Sequence, residues 1–488
     1  MNNQRGDLLM IHKITYHTLL EKFYGSIYDV DRKLLMDESG LKKAIESLSR
    51  QIYDFGVKNS DRVVLSCLSP VFFIISFFSL LRINAVPVLL PGQITLYELN
   101  LLDNQGDFLC VISDQDRWKD SFSTHQPLTF SDYEGYLYLI KNETKPLKEL
   151  SGMICQPTSG TTGTVKICVR DEYGCIAETV NHAKTVECRP ASIYCPLALN
   201  HAYGFGTAFL QAFLSSSMLY LSSSVNPRTI INLFHEKAID LFTATSNIVE
   251  LLSEAKISKE IFIPRYIYTA GSPLEKSVAG NFYQRFNKNV FASYGSTETG
   301  EMCIERIEGI YETGNVGKPL AYTKIRLKAD EEYQYIQVSN PSQMFGYLNE
   351  KGLIEKPFLE EGIWHSTGDV GHEDSAGRIL VQGRKNNLIN VFGKKVNPTE
   401  VECFIKTING VKDVAVFAGH HRSGSELVYA LVQCSDSLKI EDIITKCKHN
   451  LMHYKVPVKI KRVAEIPRNI SGKLIKNKIS LLPSNVKE

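Results

Sequence analysis

Two short apolar segments flank a longer one between residues 61 and 90, and this order restricts the fold more than any other feature of the sequence. Residues 61–68 and 85–90 have the length and the Val/Leu content of buried strands, whereas residues 71–83 have the length of a helix. A strand, a helix and a second strand in this order predict a βαβ unit with two parallel strands. The chain is therefore predicted to be an α/β protein with βαβ-type sheets.

The same pattern, read along the chain, predicts helices over residues 18–28 and 39–55 and an irregular polar segment over residues 116–150. Apolar alternation, the pattern of a strand, also continues through residues 210–221. The apolar run of residues 71–81 ends at Arg82. A membrane-spanning helix needs about 20 apolar residues, so this run predicts a buried core helix and no membrane span.

A strand at residues 152–156 leads into the segment Pro157-Thr158-Ser159-Gly160-Thr161-Thr162-Gly163-Thr164-Val165-Lys166. Glycines let a ligand approach the main chain, successive N–H groups form an anion-binding concavity, and the hydroxyls and the lysine add donors and charge. The segment predicts a polyphosphate cradle, most simply for ATP, against the alternative of a polar surface turn. It is not the P-loop of ordinary NTPases, because Gly163 is not followed by Lys-Ser/Thr.

Two further predicted strands also end at loops rich in glycine and hydroxyl groups. Residues 266–270 lead into Gly271-Ser272, and residues 290–293 lead into Tyr294-Gly295-Ser296-Thr297-Glu298. Ligands of open α/β sheets lie outside the carboxyl ends of the strands. The three loops are therefore predicted to share one site.

The size and charge of the chain exclude several classes of protein. With 488 residues it exceeds the size at which one core stops growing, so at least two domains are expected. Its 55 basic and 53 acidic residues give a net charge of +2, without the basic excess typical of nucleic-acid or membrane-surface binding. The 11 cysteines contain no Cys-x-x-Cys pair, which argues against a zinc site. Their odd number and the absence of a secretory signal predict a reducing cytoplasm.

The pattern changes twice in the C-terminal half. From residue 300 short alternating strands predict an antiparallel or barrel-like part, and after residues 383–387 a compact α+β unit follows. This pattern places a domain boundary at residues 383–387. The family resemblance carried by the motifs below implies the roles: residues 1–383 would bind ATP and substrate, residues 384–386 would be a hinge, and residues 387–488 would be a small mobile lid domain.

Seven motifs in one order resemble those of the AMP-forming adenylating enzymes, which include acyl-CoA synthetases, adenylation domains of peptide synthetases and firefly luciferase. The resemblance covers nearly the whole chain. The motifs are the Thr/Gly loop of residues 158–166, the Tyr-Gly-Ser-Thr-Glu of 294–298, the Gly-Asn-Val-Gly-Lys-Pro of 314–319, the Ser-Thr-Gly-Asp of 366–369, the hinge segment 383–402, the Tyr-Lys-Val-Pro of 454–457 and the segment 467–473.

The resemblance implies ATP-dependent activation of a carboxylate to acyl-AMP, followed by transfer to a thiol. Its implied ATP-binding residues are Thr158, Ser159, Gly160, Thr161, Thr162, Gly163, Lys166, Tyr294, Gly295, Ser296, Thr297, Asp369, Arg384 and Lys473. Among these, Tyr294 would lie against the adenine and Thr297 near the α-phosphate. Asp369 would accept hydrogen bonds from the ribose hydroxyls, and Arg384 would reach ribose or phosphate oxygens.

The same resemblance implies the catalytic groups. Glu298 and the hydroxyl of Thr161 are the candidate Mg²⁺ ligands, since Mg²⁺ prefers oxygen ligands. Lys473 would bridge the substrate carboxylate and the α-phosphate and stabilise the charge of the transition state. The chain departs from the family pattern at Asn386 and Asn390, where a hinge Asp or Lys and a Lys are common.

The substrate pocket is expected at His201, Gly271 and Ser272. No acidic residue occurs at positions 198–202, where amino-acid-activating members carry an Asp for the α-ammonium group. A carboxylic acid without an α-amino group is therefore favoured. The acceptor is left open between coenzyme A and the phosphopantetheine of a carrier protein. An amino-acid-activating domain and a non-catalytic ATP-binding relative remain as alternatives.

Overall fold

The structure, a computed structural model, describes residues 11–144, 150, 152–158, 166–257, 260–307, 311–329, 333–349, 354–356, 364–391, 394–420 and 426–466. Contacts divide the chain into two compact units. The first comprises residues 1–325 and 338–365, and the second comprises residues 326–337 and 366–488. The predicted hinge at residues 384–386 lies inside the second unit, and the predicted domain bounds stay a prediction.

The strands of the described residues are, in chain order, β1 (Ser26–Asp29), β2 (Leu34–Met36), β3 (Arg62–Leu65), β4 (Val86–Leu89), β5 (Cys110–Ser113), β6 (His125–Phe130), β7 (Tyr133–Leu139), β8 (Met153–Pro157), β9 (Ile167–Asp171), β10 (Ser192–Cys195), β11 (Met218–Leu221), β12 (Leu241–Ala244), β13 (Tyr266–Thr269), β14 (Phe291–Ser296), β15 (Gly300–Arg306), β16 (Asn315–Pro319), β17 (Lys324–Ala329), β18 (Gln334–Ser339), β19 (Gly346–Leu348), β20 (Ile354–Glu355), β21 (His365–Glu373), β22 (Ile379–Arg384), β23 (Ile389–Val391), β24 (Lys394–Val396), β25 (Val411–His420), β26 (Glu426–Cys434) and β27 (Lys459–Arg462).

The helices of the same residues are α1 (Tyr16–Glu21), α2 (Glu38–Asp54), α3 (Pro70–Arg82), α4 (Leu96–Gly106), α5 (Glu172–Val186), α6 (Ala202–Gly204), α7 (Gln211–Ser215), α8 (Pro227–Glu236), α9 (Ser246–Glu254), α10 (Lys276–Phe286), α11 (Pro398–Lys406) and α12 (Ile440–Asn450). A π-helical segment, Phe205–Leu210, connects α6 to α7, and short 3₁₀ turns occur at Lys385–Asn387 and His453–Lys455.

The first unit contains two large sheets. One has the strand order β16-β15-β14-β13-β12-β10-β11-β1-β2, in which the pairs from β14 to β1 are parallel. The other has the order β20-β19-β9-β8-β4-β3-β5-β7-β6 and contains the predicted βαβ unit, since β3 and β4 are parallel. The α/β fold class predicted from the sequence is confirmed.

Helix α3 is the apolar run that the sequence analysis assigned to the core. Ser69 caps its N-terminus by accepting a hydrogen bond from the Phe72 N–H, and Pro70 occupies its first turn, where no intrahelical donor is lost. Every residue from Pro70 to Leu80 is buried, and the Phe77 ring makes edge contacts with Phe205 and Phe209. The prediction of a core helix is confirmed. Within the described residues, no helix has the length and hydropathy that crossing a membrane requires.

The second unit contains three smaller sheets. Strands β17, β18, β21 and β22 are neighbours in that order, β23 pairs with β24, and β25, β26 and β27 form a three-stranded sheet. The antiparallel strands predicted after residue 300 are confirmed by the pair β21–β22. The C-terminal part is α+β, as predicted, because α11 and α12 pack on β25–β27 around buried residues such as Val401, Ile443 and Val432.

Three sequence-based assignments need correction. Residues 116–150 contain the hairpin β6–β7, whose side chains alternate between buried and exposed although the composition is polar. Residues 18–28 are not one helix, because Ser26–Asp29 forms a strand between β11 and β2, and this pairing overrides local propensity. The apolar pattern of residues 210–221 is helical up to Ser215 and becomes a strand only at Met218.

Candidate functional site

The hairpin β14–β15 carries the predicted adenine and metal residues. Residues Tyr294–Ser296 end β14, and Thr297 and Glu298 form the turn before Gly300 starts β15. A bulge between Tyr294 and Gly295 interrupts the antiparallel register. Bulges redirect side chains and occur often beside active sites. The local backbone therefore presents the Tyr-Gly-Ser-Thr-Glu motif at the end of a rigid pair of strands.

The carboxylate of Glu298 is held by a tyrosine that the sequence analysis did not single out. The Tyr347 hydroxyl donates a 2.9 Å hydrogen bond to Glu298 Oε1, and the Glu298 carbonyl accepts a 2.7 Å bond from the Met344 N–H. Tyr347 lies on β19, which pairs with β9 directly after the Thr/Gly loop. A tyrosine in a short strand is an ordinary packing residue, so its residue type carried no signal of this role.

Tyr347 also contacts Lys166, the last residue of the Thr/Gly loop segment. Lys166 Nζ lies 4.8 Å from the centroid of the Tyr347 ring, within the range of a cation–π interaction. The Thr158 N–H donates a 2.8 Å hydrogen bond to the Lys166 carbonyl, so the two ends of the Thr/Gly loop are joined. The sequence-based prediction that these segments lie together holds for Thr158, Lys166 and Glu298. They come from two different sheets, which the sequence did not indicate.

Two neighbours of Glu298 are kept uncharged by burial. Burial lowers the pKa of the His365 imidazole, although the Glu298 carboxylate opposes this effect. Burial likewise raises the pKa of the Cys168 thiol, which lies 3.6 Å from the Thr297 carbonyl oxygen. In the part of the chain that the structure describes, no salt bridge neutralises Glu298. Its negative charge is therefore available to a cation from solution.

This donor set fits a hard divalent cation. Glu298 is only half-buried, and the hydrogen bond from Tyr347 orients one of its carboxylate oxygens. Mg²⁺ takes oxygen ligands, one or two of them from protein carboxylates and the rest from water and phosphates. Bound there, Mg²⁺ would supply charge neutralisation for the phosphates of ATP. The other predicted ligand, Thr161, lies outside the described residues together with Ser159, Gly160, Thr162 and Gly163.

The predicted carboxylate pocket lies at the carboxyl ends of neighbouring strands. His201 follows β10, Gly271 and Ser272 follow β13, and both strands are parallel neighbours of β12. The buried Ser272 Oγ has no hydrogen-bond partner among the described atoms. A buried hydroxyl without a partner is costly, so it is available to an acceptor on a ligand. These three residues thus follow strands of one sheet at the same edge, and the pocket itself stays a prediction.

The second unit presents a separate charged pair. Asp369 on β21 is 4% exposed, and its Oδ1 lies 2.7 Å from Arg384 Nε on β22, with which it is in register. Thr367 supports both side chains: its Oγ1 accepts from the Asp369 N–H, and its carbonyl accepts from Arg384 Nη1. Gly368 has a φ of +74°, a conformation that favours glycine. The Thr-Gly-Asp motif is therefore a preorganised segment of β21, with its carboxylate oriented by Arg384. Lys473 lies outside the described residues.

Known proteins are similar to this chain over most of its length. The chain matches the family model described as AMP-binding enzyme over residues 39–348, and the model described as AMP-binding enzyme C-terminal domain over residues 400–473. It is 25% identical over 450 residues to a 2-succinylbenzoate–CoA ligase of Listeria monocytogenes, covering 90% of this chain and 92% of that protein. It is 23% identical over 449 residues to a long-chain-fatty-acid–CoA ligase of Mycobacterium tuberculosis, covering 86% and 88%.

The fold is also that of solved structures. The O-succinylbenzoate coenzyme A synthetase of Bacillus subtilis, in complex with AMP, superposes with a TM-score of 0.79 at 20% identity, covering 99% of this chain and 98% of that chain. At this sequence identity the similarity establishes a shared fold and does not identify the substrate.

Proposed function

The chain belongs to the AMP-binding enzyme family, and we propose that it is an AMP-forming ligase that joins a carboxylic acid to a thiol. In the first step a carboxylate oxygen attacks the α-phosphorus of ATP, and pyrophosphate leaves. In the second step the thiol attacks the carbonyl of the acyl-AMP, the thiol proton passes to solvent, and AMP leaves. Both partners of the first step are anions, so the site must neutralise charge while it aligns them.

One observation carries this proposal: Tyr347 joins Glu298 to Lys166 at the mouth of the Thr/Gly loop. A carboxylate and a lysine cation thus lie near the point where the chain leaves the Thr/Gly loop, and charged groups of both kinds are what a polyphosphate with its Mg²⁺ requires. Within the proposal, the loop and Lys166 hold the β- and γ-phosphates, Glu298 holds Mg²⁺, and Tyr294 and Thr297 face the adenine and the α-phosphate. Lys473 from the C-terminal segment stabilises the transition state.

The substrate that fits this site is a carboxylic acid without an α-amino group. A desolvated ammonium group would need a carboxylate partner. Two buried carboxylates near the 200–206 segment already have partners within the protein: Glu178 pairs with Arg170, and Glu301 interacts with His182. The relatives named for 2-succinylbenzoate and for long-chain fatty acids act on acids of this type. We place the acid between His201 and Ser272.

Coenzyme A is the acceptor that we favour, since both relatives are CoA ligases by name. A carrier-protein phosphopantetheine presents the same thiol arm and remains the alternative. All 11 cysteines are free, which fits the reducing cytoplasm that we propose as the location of the protein.

ATP–pyrophosphate exchange tests the proposed function. The purified protein is incubated with ATP, Mg²⁺ and labelled pyrophosphate, and each acid of a panel is added: 2-succinylbenzoate, aryl acids, fatty acids of increasing length and amino acids. Exchange that depends on a non-amino acid is expected. Exchange with amino acids alone would indicate an amino-acid-activating domain, and no exchange with any acid would favour a non-catalytic relative. Adding free coenzyme A then distinguishes a CoA ligase, which turns over, from an enzyme that stalls at acyl-AMP.

Replacing Tyr347 by phenylalanine is expected to raise the Mg²⁺ concentration needed for half-maximal exchange by about 10-fold, the lower end of the effect of removing a group that orients a metal ligand. The ring remains, so its contact with Lys166 is kept. Tyr311→Phe is the matched control, because the Tyr311 hydroxyl also donates to a buried acceptor, the Asn315 carbonyl, 3.1 Å away. Equal Mg²⁺ dependence in both variants would remove Tyr347 from the metal site.

Replacing Asp369 by alanine is expected to weaken ATP binding more than binding of the acid. A hydrogen bond to a charged group contributes about 1.5–3 kcal/mol, so the loss of one such bond to the ribose corresponds to roughly 10- to 100-fold in affinity. Calorimetric titration with ATP and with 2′,3′-dideoxy-ATP measures this. The wild type should bind the dideoxy compound less well than ATP, and the variant should not distinguish the two. A variant that still prefers ATP would place the ribose elsewhere.

A further inference from the structure

A buried network of charged side chains lies behind the site, and none of its members has been given a function above. Its centre is Arg170 on β9, which is 1% exposed and donates a 2.5 Å hydrogen bond from Nη2 to Glu178 Oε2 on α5. Burial lowers the pKa of the guanidinium, but Cys175 and Glu178 raise it by more, so Arg170 stays charged.

One chain of hydrogen bonds, the first arm of the network, connects Arg170 to the 200–206 segment. Arg170 Nη1 donates to Gln156 Oε1 at 3.3 Å, and Gln156 Nε2 donates to the Asn200 carbonyl at 3.2 Å. Gln156 lies on β8, two residues before Thr158, and Asn200 directly precedes His201. One buried amide therefore connects the strand entering the phosphate loop to the loop that carries the proposed carboxylate-pocket histidine.

A second chain of hydrogen bonds, the second arm, connects Glu178 to the hairpin β14–β15. Glu178 Oε1 accepts a 3.1 Å hydrogen bond from the Glu301 N–H, at the start of β15. The Glu301 carboxylate in turn contacts His182 Nδ1 at 2.5 Å and accepts a hydrogen bond from the Ser293 hydroxyl. Ser293 directly precedes Tyr294, and Glu301 follows Glu298 by three positions. Both strands of the hairpin are thus tied to α5.

Two glycines let these elements close around the Glu178 carboxylate. A Cβ atom added to Gly300, whose φ is +63°, would lie 2.7 Å from Glu178 Cδ. A Cβ atom added to Gly206, in the helical segment after His201, would lie 3.2 Å from the same atom. Both distances are tighter than ordinary contacts, so Glu178 is enclosed by the backbone of the hairpin and by that of the 200–206 segment.

Stability alone does not account for this arrangement. Buried ion pairs contribute little net stability, because desolvation offsets their attraction, and apolar side chains would fill the same space at lower cost. The hydrogen bonds that are made instead favour one geometry: Arg170 Nη1 and Nη2, the Gln156 amide and the Glu178 carboxylate are all paired, whereas Arg170 Nε has no partner among the described atoms. From the connection of all three segments, we propose that Arg170, Glu178 and Gln156 are positioning residues of the ligase reaction, which hold strands β8 and β9 on either side of the phosphate loop, the 200–206 segment and the 294–301 hairpin in the alignment needed for acyl-AMP formation.

This inference rests on the proposed function, and it predicts an effect on turnover more than on binding. The network touches the backbone next to the site and leaves the proposed ATP contacts in place. Misalignment by about 1 Å of reacting groups can cost on the order of 100-fold in rate. Arg170→Met and Gln156→Leu are therefore expected to lower kcat of pyrophosphate exchange about 10- to 100-fold, with KM for ATP changed by less than about 3-fold.

The matched control is the other buried arginine. Arg62 is also 1% exposed and pairs with Asp107 at 2.7 Å, between β3 and the end of α4 and away from the three segments. Arg62→Met is expected to lower the melting temperature as Arg170→Met does, while kcat measured well below the transition stays within about 2-fold of the wild type, because loss of a buried charge pair is a stability effect. Similar losses of kcat in both variants would overturn the proposal.

Hydrogen–deuterium exchange supplies a second readout that does not depend on activity. Arg170→Met is expected to raise the exchange rate of the amide hydrogens in residues 294–301 and 200–206 selectively. Arg62→Met is expected to leave the exchange rates of these residues unchanged. Uniform exposure in both variants would refute a positioning role. If Arg170→Met does not fold, Gln156→Leu decides, because it breaks the first arm and keeps every charge paired. If the wild type shows no pyrophosphate exchange, the proposed function fails. The hydrogen–deuterium exchange pattern alone then supports or overturns the role of the network in positioning the three segments.

Discussion

Lys473→Ala is expected to lower the rate of acyl-AMP formation about 100- to 1000-fold while ATP affinity changes little. The negative charge on the α-phosphate oxygens spreads as the carboxylate attacks, and a lysine ammonium placed there acts mainly in the transition state. Removing one such stabilising group typically costs about 2.7–4 kcal/mol. Lys473 is the last residue of the match to the C-terminal family model, and its proposed role comes from the resemblance of the segment 467–473 to the family motif.

Single-turnover release of pyrophosphate measures the loss, and equilibrium titration with ATP measures binding. Lys476→Ala is the matched control, since it removes the same charge three residues further along the same segment. A Lys473→Ala variant that forms acyl-AMP at the wild-type rate would refute the assignment. Equal losses in Lys473→Ala and Lys476→Ala would instead indicate a general electrostatic effect of the segment.

The parts of the fold that the sequence predicts well are those whose signals are local. The apolar runs at β3, α3 and β4 are short and bounded by polar residues, so their type and order follow from length and composition. The hairpin β6–β7 is different. Its buried residues, such as Leu128 and Leu137, are interleaved with many polar ones, and its strands form because β7 pairs with β5. That pairing is a tertiary property which no local pattern contains.

The same distinction applies to the site. The Thr/Gly loop and the Tyr-Gly-Ser-Thr-Glu motif are compact in sequence and could be identified as candidates from residue type. Tyr347 could not, because its role arises from the pairing of β19 with β9 and from a contact across to the hairpin. Arg170 and Glu178 are close in sequence, but their connection to Glu301 depends on how α5 packs under β15. Sequence motifs thus predict the groups that would touch ligands, whereas the groups that hold them require the structure.

Glu298→Gln is expected to reduce acyl-AMP formation about 100-fold or more and to abolish saturation by Mg²⁺ in the millimolar range. The substitution keeps the shape of the side chain and an acceptor for the Tyr347 hydroxyl, but it removes the charge that a hard cation requires. Loss of a group that only orients a metal ligand costs about 10- to 100-fold, and loss of the ligand itself should cost at least as much. Initial rates of pyrophosphate exchange over a range of Mg²⁺ concentrations measure this.

Glu305→Gln is the matched control, because Glu305 lies near the other end of β15 in the same hairpin. It should leave the Mg²⁺ dependence unchanged. A double-mutant cycle then tests the connection to Tyr347. If Tyr347 acts by orienting Glu298, Tyr347→Phe should have almost no further effect once Glu298 is glutamine, since two residues that act through one contact are not additive. Fully additive losses would mean that the Tyr347 hydroxyl acts independently of Glu298, and an unchanged Mg²⁺ dependence in Glu298→Gln would place the metal on other ligands.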